Sequence, residues 1–317
     1  MLDRWRAWVP SPAAVHRAFI AALVCNVGIV VTGGAVRLTA SGLGCPTFPR
    51  CTDSSLVPTR QMGVHGVVEF SNRLLTFALS AMVVAAVVVA WRARRRDLRM
   101  LSAALFGGIV AQALLGGVTV LTGLNPVTVM AHFLLSMVLI AVATLAAELS
   151  AGQPVTHRPL VHPVLLVGGR VLVVVTGLLL VAGTVVTGTG PHSGDKHATH
   201  RLSFSLVEVT QLHADLVWLL VGLAVGLGFA LRATSAPASV RRRAGELLVV
   251  VLAQGLVGYL QYAANLPIGL VAVHVLGACL VWVAALRLAL GMTERVRPIA
   301  AGPHGHHESL AAPAATA

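Results

Sequence analysis

Apolar residues run along this chain in eight long blocks, about 17–36, 62–90, 100–121, 128–149, 162–187, 205–231, 245–263 and 267–290. A hydrocarbon layer about 30 Å thick is crossed by roughly 20 apolar residues of helix, and every block is of about that length. Strands of a closed barrel would alternate over short segments, whereas these blocks are continuous. The pattern predicts an all-α integral membrane protein with eight transmembrane helices.

The blocks repeat. Ala111-Gln112-Ala113-Leu114-Leu115-Gly116 returns as Ala253-Gln254-Gly255-Leu256-Val257-Gly258, and each copy is followed by a histidine, His132 or His274, 20 positions after its glutamine. Val31-Thr32-Gly33, at the end of the first block, returns as Val186-Thr187-Gly188 at the end of the fifth. The chain therefore reads as two pseudo-symmetric four-helix halves, 1–155 and 156–300, with a tail over 301–317. An even number of helices per half makes this a parallel repeat about an axis along the membrane normal. The Ala-, Pro- and His-rich tail has no apolar period and is expected to be disordered; its His304, His306 and His307 lack a shell to hold a metal.

Composition agrees. Of 317 residues, 56% are hydrophobic and 11% charged, and the mean hydropathy is +0.84, which excludes an ordinary soluble domain. Charge adds an orientation, because Lys and Arg are retained on the cytoplasmic side. Seventeen of the 23 basic residues fall on one side, including Arg92, Arg94, Arg95, Arg96 and Arg99 after the second block and Arg232, Arg241, Arg242 and Arg243 after the sixth. Both termini are then cytoplasmic, in a multi-pass protein of the cell membrane. The net charge of +12 is topology and attraction to anionic membrane lipid. No basic stripe carries stacking aromatics, so no nucleic-acid partner is expected. The start, Met1 to Arg17, lacks the pattern of a cleaved signal and leads into a membrane helix.

Four histidines, His65, His132, His213 and His274, lie on the even-numbered helices near one end. A single transmembrane histidine is often a helix-to-helix hydrogen bond. Four at matched depth, two of them in a strict repeat, point instead to ligands, and four-helix bundles hold cofactors from facing side chains in this way. No cysteine or carboxylate cluster completes a zinc or di-iron site, and paired imidazoles in an apolar slot suit haem. Glycines such as Gly107, Gly108, Gly116 and Gly117 admit a flat ring, or serve ordinary small-residue packing.

The second block also carries His65, Glu69, Asn72 and Arg73 on one helical face. Glu69 is a candidate to move protons or stabilise a developing cation; an i,i+4 pair with Arg73 is the structural alternative. Gln112 and Gln254 suit interhelical bonding. Glu208 and Asp215 flank His213, placed either to orient it or simply by proximity to the membrane interface. Cys45 and Cys51, in the first external loop, suit a disulfide clip outside the cytoplasm, with redox catalysis as the other reading. Cys25 and Cys279 read as helix packing, and His192, His197 and His200 as a solvated loop.

Over about 20–290 the residues resemble the haem A synthase family. The resemblance rests on Thr32-Gly33-Gly34-Ala35-Val36-Arg37 leading to Ser41-Gly42-Leu43-Gly44-Cys45-Pro46, on Glu69-Phe70-Ser71-Asn72-Arg73, on Gln112-Ala113-Leu114-Leu115-Gly116 with His132, and on His213 and His274. It implies an eight-helix enzyme that oxidises a methyl group of haem O to a formyl group, giving haem A for terminal cytochrome oxidases. It further implies a prosthetic haem b on His213 and His274, haem O bound in the first half through His132 and a helix-2 ligand, Glu69 as the important acid, and Cys45 and Cys51 as the external cysteine pair. Haem O synthase and cytochrome oxidase assembly factors are the partners it suggests. The family commonly carries Glu-x-x-His in helix 2, where this chain has Asn72; His65, two turns earlier on the same face, is then the expected replacement. Two other readings are a di-haem b-type cytochrome taking electrons from quinol and a haem-handling protein that leaves the porphyrin unchanged.

Overall fold

Proline and small polar residues set the helix starts. The computed structural model describes residues 8–152, 156–196 and 200–296; the tail, His197 and the first seven residues lie outside that set. Helix α1 (Pro12–Leu38) is capped by the Ser11 hydroxyl, α4 (Pro126–Ser150) by Asn125 and α5 (Pro163–Thr189) by His162. In each, proline occupies the first turn, where its missing N–H is not needed. The others are α2 (Gly63–Arg92), entered through a 3-10 turn, Arg60–Met62, then α3 (Arg96–Leu121), α6 (Leu206–Ala233), α7 (Ala238–Ala263) and α8 (Ile268–Gly291). Leu124, just past α3, adopts a positive φ of 60° and donates its N–H to the Thr119 carbonyl, which closes the helix with a left-handed cap. Eight helices are long and apolar enough to cross a membrane, as the hydrophobic blocks predict.

Two details differ from expectation. Helix α7 begins at Ala238 rather than near 245: Arg241, Arg242 and Arg243 continue the helix beyond its apolar stretch, with Arg242 paired to Glu246 and Arg243 to Glu148. A short antiparallel ribbon also joins β1 (Thr156–Pro159) to β2 (Thr293–Val296), tying the inter-half linker to the segment after α8. Among the described residues the regular secondary structure is thus helical apart from one two-stranded clip.

Helices α1 to α4 pack as a closed ring, each against the next and α4 against α1, and α5 to α8 do the same. The rings meet through α1, α4, α5 and α8. Val30, Met137, Ile140, Leu180 and Cys279 form the apolar seam between them, and the Trp282 indole N–H crosses it to the Met137 carbonyl at 2.9 Å. Both ends are laced as well. At the arginine-rich end Glu148 of α4 receives Arg243 of α7 at 2.8 Å and Arg287 of α8 at 2.9 Å. At the opposite end Arg37 of α1 donates to the Thr187 and His192 carbonyls. Large apolar side chains such as Leu114, Trp218, Phe229 and Val249 point outward, as lipid-facing positions should.

Candidate functional site

In the second ring α6 and α8 stand across the bundle, and they bring His213 and His274 together. Their ring centres are 6.4 Å apart and their planes are inclined by 60°. Two imidazoles on opposite sides of one metal, each bound at about 2.0 Å with its ring centre roughly 1.2 Å beyond the nitrogen, stand about 6.4 Å apart. The spacing of the pair is compatible with two ligands to one metal.

Each ring lies edge-on against a glycine of the preceding helix. A Cβ at Gly183 of α5 would sit 3.2 Å from His213 Cε1, and one at Gly258 of α7 would sit 3.3 Å from His274 Cε1. In the first ring His132 has the same relation to Gly116 of α3, at 3.2 Å. The Nδ1 atoms of all three histidines are buried without a well-formed hydrogen bond, although His213 interacts with the Leu179 backbone one turn before its glycine. An orphaned buried nitrogen is uncommon and calls for a role. With the Cε1–Nδ1 edge turned to the glycine, Nε2 is the nitrogen left to ligate.

The glutamines hold this register. Gln112 donates to the His132 carbonyl at 3.0 Å and to the Ser136 hydroxyl, while Gln254 donates to the His274 carbonyl at 2.8 Å. Their role is the interhelical one expected. Each bond ties the histidine's own backbone to the helix that supplies its glycine, so ring and cradle move together.

His65 has a different setting. It lies in the first turn of α2, with Nδ1 2.9 Å from the Ser41 hydroxyl, and is not placed with the orphaned histidines. Asn72, deeper on α2, does have an orphaned buried oxygen. Asp215 accepts from Gln211 at 2.8 Å, and Glu208 receives the Ser205 cap on its backbone N–H. Neither carboxylate engages His213. His192 of the external loop pairs with the Leu266 carbonyl at 3.1 Å. Among the described residues no group of three or more His, Cys, Asp or Glu is gathered for a bare metal ion.

Glu69 is 6% exposed and is held from two sides. One carboxylate oxygen accepts the Cys45 backbone N–H at 2.6 Å; the other accepts Arg73 at 2.5 Å. Arg73 continues to the carbonyls of Cys45, Thr47 and Arg50 and stands 6.0 Å from the Phe48 ring centre. Cys45 and Cys51 form a disulfide, both fully buried, so the loop between α1 and α2 is a closed lobe docked on the first ring. Phe48 fills the place where a side chain at Gly117 would project, and the His65 carbonyl does so at Gly44. The i,i+4 pair offered as the structural alternative is present. What the sequence did not reveal is the Cys45 contact, which links the disulfide lobe to the acid.

A polytopic helical membrane protein that buries a facing pair of histidines in one bundle, with a clamped carboxylate in the other, is defined by these features. The family model described as cytochrome oxidase assembly protein (COX15-CtaA) matches residues 16–286, and the chain belongs to that family. It is 33% identical over 129 residues to the haem A synthase of Lysinibacillus sphaericus, covering 40% of this chain and 41% of the relative. To the haem A synthase of Halalkalibacterium halodurans it is 30% identical over 145 residues, covering 43% and 47%. To that of Bacillus cereus it is 32% identical over 114 residues, covering 35% and 36%. The chain thus spans less than half the length of these curated relatives.

Proposed function

We propose that this protein is a haem A synthase, a membrane oxidoreductase that converts the methyl group of haem O to the formyl group of haem A. The observation that carries the reading is the His213–His274 pair, spaced at 6.4 Å, cradled by glycines and with both Nδ1 atoms orphaned. These residues suit a haem, since a flat porphyrin accepts two imidazoles and tolerates an otherwise apolar slot. His213 and His274 would hold the prosthetic haem b in the second half, about 156–300, and His132 would bind the iron of substrate haem O in the first, about 1–155. Bound iron porphyrin supplies electron transfer in the one half and presents the substituent for oxidation in the other.

The remaining work falls to the chain. The apolar helix faces exclude water from both rings, which strengthens every fixed charge inside. Glu69, anchored by the Cys45 N–H and Arg73, would accept a proton or offset positive charge at the reacting substituent. The disulfide lobe restrains Glu69 from outside. The Gln–His repeat supports a parallel pseudo-two-fold relation between halves, and the basic residues support cytoplasmic termini. Haem O synthase and oxidase assembly factors are the expected neighbours in this pathway.

The test is to purify the protein from cells grown with and without a haem O source, extract the bound haems and chromatograph them. Haem B together with haem O, its hydroxylated form or haem A supports the synthase. Haem B alone under both conditions would replace it with a di-haem electron carrier, and no haem at all would remove the ligand assignment.

A further inference from the structure

Three of the four even-numbered helices set a histidine against a glycine of the preceding helix: His132 on Gly116, His213 on Gly183 and His274 on Gly258. On α2 the side chain that meets a glycine of the preceding helix is Asn72, in a looser contact. Its Nδ2 lies 3.9 Å from the Cβ position of Gly33, on α1. Its Oδ1 belongs with the three histidine Nδ1 atoms among the buried, unpartnered polar atoms. His65 shares neither property. Its Nδ1 bonds Ser41, and it stands seven residues nearer the helix start, roughly 10 Å along the axis at about 1.5 Å per residue. To reach the level of Asn72 it would have to leave Ser41 and rebuild the first turns of α2, whose backbone is pinned where the His65 carbonyl fills the space beside Gly44.

We infer that Asn72, and not His65, faces His132 across the first ring. A haem held there then has one imidazole ligand, and its other axial side is left to a small molecule beneath the Asn72 amide. This rests on the reading that the first half binds haem. A carboxamide is a neutral and poor ligand for haem iron, so it leaves the iron open, while its N–H donors and carbonyl can hydrogen-bond whatever small ligand enters. The two halves thus differ in coordination. The second is closed by two imidazoles and suited to electron transfer, whereas the first is open and suited to chemistry. Asn72 acts as a positioning residue for the incoming ligand and as a reason that the site stays accessible.

The experiment uses the purified full chain loaded with haem in both halves and reads spin state and carbon monoxide binding after reduction. In the unsubstituted protein about half of the haem should be high-spin and bind carbon monoxide. His132→Ala should remove that fraction, and His65→Ala should leave it unchanged. Asn72→His should turn it low-spin and weaken carbon monoxide binding by at least tenfold. A protein that is low-spin in both halves, and turns half high-spin with His65→Ala, would give the position to His65 and overturn the inference. The underlying reading fails differently: a single haem per chain, lost entirely with His213→Ala, would show that the first half holds none. If Asn72→His does not fold, the unsubstituted protein and His65→Ala still decide the matter.

Discussion

The glycine cradles permit a graded test of the ligand assignment. In Gly183→Ala and Gly258→Ala the new methyl would lie 3.2 and 3.3 Å from His213 Cε1 and His274 Cε1. Carbon atoms settle at about 3.5–4.0 Å, so each ring must retreat by roughly 0.2–0.8 Å. Ligand geometry tolerates about 0.5 Å before function suffers, and disturbing the support of a metal-bound histidine typically costs about 10- to 100-fold in affinity. Each substitution should therefore weaken haem binding about tenfold, equivalent to roughly 1.4 kcal/mol. The double variant should fall short of the product, because both rings share one iron. Gly255 is the control: it lies on the same helix as Gly258, nothing stands within 4 Å of its Cβ position, and alanine there favours the helix by up to about 1 kcal/mol. The assay is titration of haem-depleted protein with haem, followed by the Soret band. Equal affinities for Gly183→Ala, Gly258→Ala and Gly255→Ala would refute the reasoning.

Removing a ligand is the coarser form of this test: His213→Ala or His274→Ala should each abolish the low-spin reduced-minus-oxidised spectrum, and a spectrum retained in both would withdraw the assignment. Glu69→Gln keeps the side-chain volume but removes the charge facing Arg73; haem A production in cells should fall at least tenfold with haem content unchanged, and unaltered production would end the catalytic role of Glu69. The double change Cys45→Ser with Cys51→Ser opens a disulfide of sequence separation 6 and should lower stability by about 2 kcal/mol, read as a lower melting temperature in detergent. It should also lower haem A production, because the Cys45 N–H that anchors Glu69 is released. Glu148→Ala removes the carboxylate that the first ring offers to Arg243 and Arg287, neighbours in the second ring; Arg287 is 41% exposed and keeps Glu246 at 3.8 Å, so the loss should be about 1–3 kcal/mol, less than for a fully buried pair. An unchanged melting temperature would show that this clasp adds nothing measurable.

The eight helices were legible because each must cover its own backbone in lipid and so advertises itself as an unbroken apolar run. The Gln–His register was legible for a related reason: a polar side chain in hydrocarbon needs a partner, and two copies at one spacing reveal the partner's helix. The Glu69–Arg73 pair followed from helical geometry alone. The start of α7 was not legible from hydropathy, since Arg241, Arg242 and Arg243 lie outside any apolar window. The β1–β2 clip and the Cys45 contact to Glu69 join residues far apart in sequence or in a loop without a period, and no local pattern encodes them. The glycine cradles were half visible. Gly116 and Gly258 precede His132 and His274 by the same interval within the repeat, but Gly183 and Gly33 act across an external loop, and their role appears only when the helices are packed.

The repeat carries a further consequence for how such a protein divides its labour. If each ring is built by one rule, a polar side chain on an even helix resting on a glycine of the odd helix before it, then the rings need different chemistry only at single positions to perform different tasks. His213 and Asn72 are such positions, and Glu69 sits one helical turn before Asn72 with no carboxylate engaging His213 in the other ring. The seam of Val30, Met137, Ile140, Leu180 and Cys279, with Glu148 and Arg37 at its two ends, holds the rings in fixed relation without contributing polar groups to either. A closed site and an open site can then sit side by side on rigid helices, each tuned without disturbing the other. Substitutions along the seam should therefore change stability while leaving the spin state of both sites alone, and substitutions at Asn72 should do the reverse.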